Sequence, residues 1–114
     1  MLYKVGEFSK MTGLSREALR YYREVKLLEP VYVNPDNQYQ YYDNGSYLVA
    51  MLLVQLRRFN FTIQEMKSVM EDESFANLEN LLRMKKQKIE GQIRCLQNKV
   101  QDMDEFLKMG NKEE

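Results

Sequence analysis

The sequence predicts a mainly α-helical protein in which a small winged helix-turn-helix unit precedes one long C-terminal helix. Three observations support this fold class. Both prolines, Pro30 and Pro35, lie in the first third of the chain, and no proline follows in residues 36–114. Two short amphipathic segments meet at a glycine-containing turn. A proline-free run over residues 75–109 is far longer than an ordinary globular helix.

Composition excludes several classes of protein. The 17 Lys+Arg balance 17 Asp+Glu among 114 residues, so the chain is not a broadly basic nucleic-acid binder. This balance does not exclude a local basic patch on the surface. Histidine is absent and Cys95 is the single cysteine. These counts exclude an intramolecular disulfide, a Cys–His or Ser–His nucleophile pair and a multi-ligand zinc site. We therefore expect no enzyme activity, no metal and no cofactor.

Location also follows from composition. No stretch approaches the roughly 20 apolar residues that a membrane-spanning helix needs. The first residues show no charged segment followed by an apolar run and a cleavage site. We expect a cytoplasmic protein with no membrane association, and a single cysteine fits a reducing compartment.

The first two helices are predicted to form a helix-turn-helix. Val5, Phe8 and Met11 recur at helical spacing before Thr12-Gly13 ends the first helix. Ser15 is suited to cap a second helix that runs to about Val25. The apolar positions of this second helix should face inward: Leu14, Ala18, Leu19, Tyr22 and Val25.

The outer face of the second helix carries the candidate DNA-binding residues. Arg16 and Glu17 lie in its first turn, where side chains can reach base edges, and Arg20 and Arg23 are better placed for the DNA backbone. The same charges would also fit an ordinary solvated face with ion pairs one turn apart. The hairpin and the long helix described next favour the DNA-binding interpretation.

A small β-hairpin, the wing, is predicted after the second helix. The β-rich residues 31–33 and 39–42 flank Asn34-Pro35-Asp36-Asn37, a sequence that favours a type I turn. Alternation directs Tyr39 and Tyr41 to one face, and Gln40 and Tyr42 to the other. The pattern does not decide which face meets DNA.

Two further helices should complete this unit. Asp43 is suited to cap a third helix from Asn44 to about Arg58, and Thr62 with Glu65 forms a capping-box pattern for a fourth helix ending near Met70. The buried side of the third helix is predicted to hold Leu48, Met51, Leu52, Val54, Gln55 and Leu56. Arg57 lies at the end of the third helix, where it could oppose the helix dipole or contact a phosphate.

The long helix carries a predicted dimer interface. Its apolar residues follow an alternating spacing of four and three, which is typical of a coiled coil. We name this row the seam: Ile89, Ile93, Leu96, Val100, Met103 and Leu107. Cys95 precedes a seam residue and is expected to be a buried or half-buried structural thiol. The predicted divisions are residues 1–73 for the winged helix-turn-helix, 74–110 for the dimerisation helix and 111–114 for a tail.

Several motifs resemble the MerR family of transcriptional regulators. They are residues 5–15 (VGEFSKMTGLS), 18–22 (ALRYY), 27–28 (LL) and 39–43 (YQYYD). The resemblance covers essentially the whole chain, and the hairpin looks most like that of the multidrug-binding branch.

The resemblance implies a homodimer held by an antiparallel coiled coil and bound to double-stranded promoter DNA. In such a family a small-molecule effector makes the dimer distort the promoter spacer so that RNA polymerase can use it. Carried onto this chain, Ser15, Arg16 and Glu17 would approach the major groove, while Arg20 and Tyr21 hold the backbone. Tyr39 and Gln40 would act from the wing.

Two departures from the family pattern change these expectations. The family usually has Gly-Tyr-Arg in the wing, where this chain has Gln38-Tyr39-Gln40. Gln40 lacks the charge of arginine, so we expect weaker or less salt-dependent wing contacts. Metal-sensing members have several cysteines, whereas this chain has only Cys95, so we expect no metal sensing.

Two interpretations concern the whole protein. Drug-binding members carry an effector domain after the long helix, so we expect residues 1–114 to be the front part of a longer regulator. The alternative function is a coiled-coil protein-interaction adaptor that uses the winged unit as a scaffold. Zero net charge favours the adaptor, and the stripe of Arg16, Arg20 and Arg23 counts against it.

Overall fold

The computed structural model describes residues 1–112, with side chains described through residue 110. The chain divides into two compact units, Met1–Glu73 and the segment that begins at Ser74. In chain order the elements are β1 (Tyr3–Lys4), α1 (Val5–Thr12), α2 (Arg16–Glu24), β2 (Tyr32–Val33), β3 (Gln40–Tyr42), α3 (Asn44–Arg58), α4 (Ile63–Glu71) and α5 (Ala76–Lys112). The predicted mainly α-helical class, with a wing and a long C-terminal helix, is confirmed.

The turn between α1 and α2 is fixed by local hydrogen bonds. Gly13 takes a φ of 78°, the left-handed conformation that glycine adopts without steric cost, and its N–H donates to the Ser9 carbonyl at 2.9 Å. The Thr12 hydroxyl donates to the Phe8 carbonyl at 2.9 Å. Ser15 then caps α2, because its Oγ accepts from the Ala18 N–H at 3.0 Å. The predicted helix end and helix start are both confirmed.

A three-stranded antiparallel sheet, in the order β1-β3-β2, replaces the predicted two-stranded hairpin. Tyr32 lies opposite Tyr41 in the wing, and Tyr3 lies opposite Tyr42 on the other side of β3. The loop between β2 and β3 closes through a bond from the Gln38 N–H to the Asn34 carbonyl at 2.8 Å. Sequence reasoning missed β1, since its two residues pair with a strand almost forty positions later.

α3 begins at a capping box. An Asp43 Oδ1 accepts from the Ser46 N–H at 2.9 Å, and the Ser46 Oγ accepts from the Asp43 N–H at 3.2 Å. The hydrogen bonds from Ser46 hold the pKa of Asp43 below its ordinary value. The equivalent pair at α4, Thr62 and Glu65, forms the predicted capping box.

The predicted buried side of α3 is partly wrong. Leu48 is 70% exposed and Gln55 is also exposed, whereas Ala50 and Leu53 are buried together with Leu56. Residues 48–54 are apolar almost all round the helix, so spacing alone does not define a single face. The capping box and the packing of α3 against α1 decide the rotation instead.

One apolar core lies within the first unit. It takes residues from every helix of that unit and from β3, and burying each of its larger apolar side chains stabilises the fold by about 1.5–3 kcal/mol. The buried apolar residues are Phe8, Leu19, Tyr22, Leu27, Leu28, Tyr42, Ala50, Leu53, Leu56, Phe61, Met66 and Val69.

The second unit consists mainly of α5. This helix has 37 residues, which corresponds to about 55 Å at 1.5 Å per residue. It begins two residues after the predicted start at residue 74 and continues past the predicted end at residue 110, as far as Lys112. Of the predicted tail at 111–114, residues 111–112 are helical, and residues 113–114 lie outside the described residues.

Candidate nucleic-acid interface

α2 separates a buried face from an exposed, charged one. Leu19 and Tyr22 are buried at 1% and 5% exposure. The outer face presents most of the side chains that the sequence singled out. These exposed residues are Ser15, Arg16, Glu17, Arg20, Tyr21 and Arg23. The helix therefore offers hydrogen-bond donors and acceptors in its first turn and cations further along.

The wing is anchored to the helices by Tyr42. Its ring stacks on the Phe8 ring with centroids 4.3 Å apart and an interplanar angle of 4°. Burial raises the pKa of Tyr42, and the positive charge of Arg23 opposes that shift. Since Tyr42 faces the core, Tyr39 is left 53% exposed and Tyr41 half-buried against Tyr32.

A groove brings α2 and the wing together. Its cavity volume is about 460 Å³, and its walls come from the start of α1, the start of α2 and the end of the hairpin loop. We call this the recognition groove; its lining residues are Lys4, Val5, Gly6, Glu7, Arg16, Gln38, Tyr39 and Gln40. Three predicted site residues, Arg16, Tyr39 and Gln40, thus share one surface feature.

The end of Arg16 lies directly over the backbone of Gly6. A Cβ added to Gly6 would be 2.5 Å from Arg16 Nη2 and 3.4 Å from Arg16 Cζ. Only a residue without a side chain leaves room for the guanidinium at this place. Sequence reasoning missed Gly6, because a glycine in the first turn of a helix gives no sign of what packs against it.

Lys4 is a second residue that sequence reasoning missed. Its Nζ lies 5.6 Å from the centroid of the Tyr39 ring, a distance at which a cation is attracted to the ring face. A single lysine before an amphipathic helix gives no local signal of this contact, since it depends on the pairing of β1 with β3.

Arg57 is engaged within the fold and does not line the recognition groove. Its Nη1 donates to the Phe61 carbonyl at 3.2 Å, across the chain reversal that follows α3. Asn60 in that reversal has a φ of 67°. This bond gives Arg57 a local structural role. The sequence had left two other roles open for it, namely opposing the helix dipole and contacting a phosphate.

The seam of α5 is exposed along its length in the single chain. Exposure runs from 44% for Ile89 to 65% for Leu107. Phe106, which sequence reasoning did not assign to the seam, is 77% exposed beside it. Cys95 is exposed too, contrary to the expectation of a buried or half-buried thiol, because a lone helix has no second surface to cover it. Continuous exposed apolar surface of this kind marks an interaction surface.

Within residues 1–112, no group of three or more His, Cys, Asp or Glu is arranged to hold a metal ion. No helix in that part of the chain is long and apolar enough to cross a membrane.

Comparison with known proteins identifies the family. The family model described as MerR HTH family regulatory protein matches residues 3–73. The chain belongs to the MerR family. The matched part of this MerR chain contains α1 to α4 and all three strands, and so includes the whole recognition groove.

Two relatives share more than a third of their aligned residues with this MerR chain. It is 36% identical over 69 residues to the multidrug-efflux transporter 1 regulator of Bacillus subtilis (strain 168). This alignment covers 60% of the chain and 25% of that regulator. It is 35% identical over 66 residues to the HTH-type transcriptional regulator CueR of Yersinia pestis, which covers 58% of the chain and 47% of CueR. The alignments thus span a quarter to a half of these relatives' own length.

Solved structures share the fold. The EcmrR–DNA complex in EcmrR-RPo matches with a TM-score of 0.74 and 28% identity, over 96% of this chain and 40% of EcmrR. MtaN, the N-terminus of the Bacillus subtilis multidrug transporter activator, matches with a TM-score of 0.76 and 19% identity, over 92% and 97% of the two chains. The two relatives named above are transcriptional regulators, and the family match confirms the predicted MerR resemblance.

Proposed function

We propose that this MerR-family chain binds promoter DNA as a homodimer and regulates transcription from that promoter. The observation that supports this best is the recognition groove, where the first residue of α2 adjoins the tip of the wing. Duplex DNA presents base edges in its major groove with phosphates alongside. An exposed helix next to a hairpin can reach both at once.

Residues at the start of α2 would read the sequence. Ser15, Arg16 and Glu17 enter the major groove in this proposal. A guanidinium can donate two hydrogen bonds to guanine, and a carboxylate can accept one from the amino group of cytosine. Arg20, Tyr21 and Arg23 would contact phosphates and sugars, which hold the helix in register but carry no sequence information.

The wing and the end of α3 would add backbone contacts. The hydroxyl of Tyr39 and the amide of Gln40 are neutral donors that can reach a phosphate oxygen. Arg57 has five donors and gives one to the Phe61 carbonyl, so it keeps donors for a phosphate. Residues 1–58 carry 8 Lys+Arg against 6 Asp+Glu, a net charge of +2. Binding would thus depend on a few placed cations and neutral donors.

α5 would hold two protomers together. The six seam residues Ile89, Ile93, Leu96, Val100, Met103 and Leu107 are exposed in one chain, and a second copy would cover them in an antiparallel coiled coil. A two-fold dimer would present two copies of α2 to half-sites one helical turn, or a multiple of it, apart. The operator should then be a pseudo-palindrome.

Family membership supports the rest of the mechanism. EcmrR, similar in fold to this chain, has been seen with DNA in EcmrR-RPo. By analogy, the dimer would distort a promoter spacer and act on RNA polymerase at that promoter, in the cytoplasm of a bacterial cell. A small-molecule effector would act on a region outside the part matched to the relatives, since that part is only a quarter of the multidrug-efflux transporter 1 regulator.

A salt-titrated binding measurement tests the proposal. The chain is added to a labelled duplex of the promoter upstream of its own gene and to a scrambled duplex, and fluorescence anisotropy is followed. Specific binding should exceed scrambled binding by about 10³-fold or more. Arg16→Ala should reduce that preference, whereas Arg83→Ala, which removes an exposed arginine of α5 paired with Glu79, should not. Equal affinity for the two duplexes would contradict sequence-specific binding and favour the adaptor alternative.

A further inference from the structure

Lys4 has no part in the contacts proposed so far, yet it lies against the wing. β1 pairs with β3 so that Lys4 is opposite Tyr41. The Lys4 side chain is exposed, and its Nζ lies 5.6 Å from the centroid of the Tyr39 ring. The attraction between a cation and an aromatic face restricts where the ammonium can be. Tyr39 therefore holds a positive charge at the edge of the recognition groove.

The hairpin itself brings no positive charge to a DNA backbone. Residues 31–42 contain one charged residue, Asp36, so the hairpin carries a formal charge of −1. Duplex DNA has about one negative charge per 1.7 Å of its axis. A hairpin of this composition would be repelled from the phosphates without a cation from elsewhere in the fold. Lys4 is a cation that the fold places on the hairpin.

The charges that line the recognition groove also indicate that Lys4 is the cation available to a phosphate. Lys4 and Arg16 are its cations and Glu7 is its acid, so the lining carries a net charge of +1. Without Lys4 the lining would be neutral. Tyr39 and Gln40 supply only uncharged donors, whereas an ammonium brings three donors and a full charge. Since Arg16 is assigned to base edges, Lys4 is the cation left for a phosphate.

We propose that Lys4, held over the Tyr39 ring, contacts a DNA backbone phosphate and supplies the positive charge of the wing. The inference rests on the proposed function, because it requires that this face of the chain meets DNA. It assigns a residue of β1 to the interface and gives the Lys4–Tyr39 contact a role beyond packing, namely to hold the ammonium in place before DNA arrives.

The salt dependence of binding tests the proposal on the full chain with its promoter duplex. Because the proposed dimer has two copies of Lys4, Lys4→Gln should lower the slope of log affinity against log salt concentration by about 1.8, which is about 0.9 for each lost phosphate contact. The advantage of the unmodified chain over this variant should therefore shrink by about 12-fold between 50 and 200 mM salt. Lys4→Arg keeps the charge and should keep the slope.

Lys10→Gln is the matched control. Lys10 is an exposed lysine in the last turn of α1 that does not line the recognition groove, so the slope should stay unchanged. Thermal unfolding followed by circular dichroism checks that each variant is folded. An unchanged slope in Lys4→Gln, even with weaker binding, would overturn the proposal, and so would an equal change in Lys10→Gln. If the unmodified chain itself binds no duplex, the proposed function fails first.

Discussion

Replacing Gly6 by alanine should strengthen the fold and weaken DNA recognition. The added Cβ would be 2.5 Å from Arg16 Nη2, where ordinary van der Waals contact begins at 3.4 Å. The guanidinium must therefore move by about 0.9 Å, the difference between those two distances. Arg16 is exposed and its far end is flexible, so this movement costs the folded chain little.

Gly6→Ala should raise the free energy of unfolding slightly and lower the affinity for the specific duplex by a larger amount. Gly6 lies in the first turn of α1 without a positive φ, so alanine fits its backbone and should stabilise the chain by about 0.5–1 kcal/mol. A bidentate contact from arginine to guanine contributes about 1–3 kcal/mol of discrimination between bases. A displaced guanidinium would forfeit up to that amount at each half-site, which corresponds to about 5- to 150-fold in specific affinity for each of the two copies in a dimer.

Thermal unfolding and anisotropy measured on the same variants separate these effects. Gly110→Ala is the control, because a Cβ there would meet no atom within 4 Å. If Gly6 acts through Arg16, then Gly6→Ala should leave the affinity for the specific duplex almost unchanged in a chain that already carries Arg16→Ala. An unchanged preference for the specific duplex in Gly6→Ala would refute the reasoning, as would costs that simply add in the double variant.

Three further predictions concern the seam and the helix caps. Ile93→Asp should convert dimers to monomers in sedimentation equilibrium. The control is Asn98→Asp, which is exposed between seam positions and should leave the dimer intact. A dimeric Ile93→Asp chain would contradict the proposal that the seam is the dimer interface. Ser15→Ala should lower the free energy of unfolding by about 1 kcal/mol, so an unchanged melting temperature would argue against this N-cap. The hydrogen bonds from Ser46 lower the pKa of Asp43. The ionised Asp43 carboxylate therefore adds to the free energy of unfolding at pH values above the ordinary aspartate pKa, and this contribution is lost as the pH falls through the lowered pKa. Asp43→Asn should remove that part of the acid dependence of the melting temperature, and an identical pH profile would count against it.

Features set by neighbouring residues could be predicted from the sequence. The left-handed turn at Gly13 and the caps at Ser15, Asp43 and Thr62 each depend on hydrogen bonds within three or four positions. For that reason the bounds of α3 came out as predicted, and those of α4 within one residue.

Features that depend on distant contacts could not be predicted. β1 is two residues long and exists because β3 offers it a partner, so nothing near Tyr3 and Lys4 indicates a strand. The rotation of α3 was misjudged at Leu48 because apolar residues surround that part of the helix. The recognition groove shows the same division: Arg16 was singled out by pattern, and Tyr39 and Gln40 by the family resemblance, while Gly6 needed the fold to reveal its contact with Arg16.

The seam raises a similar point about what a single chain can show. Its spacing predicted an apolar row, and the row is present on α5 with every member exposed. Exposure of six apolar side chains on one helix is costly in water, which is the physical reason for proposing a second copy as its cover.

Selection of bound duplexes from a random DNA pool tests the central claim most directly. The chain is incubated with the pool, the bound fraction is amplified through several rounds, and the mass of the final complex gives the number of chains per duplex. Two inverted half-sites, bound by two chains and no longer enriched with Arg16→Ala, are the result that a dimeric regulator predicts. No enrichment over the starting pool, or a single half-site bound by one chain, would contradict it.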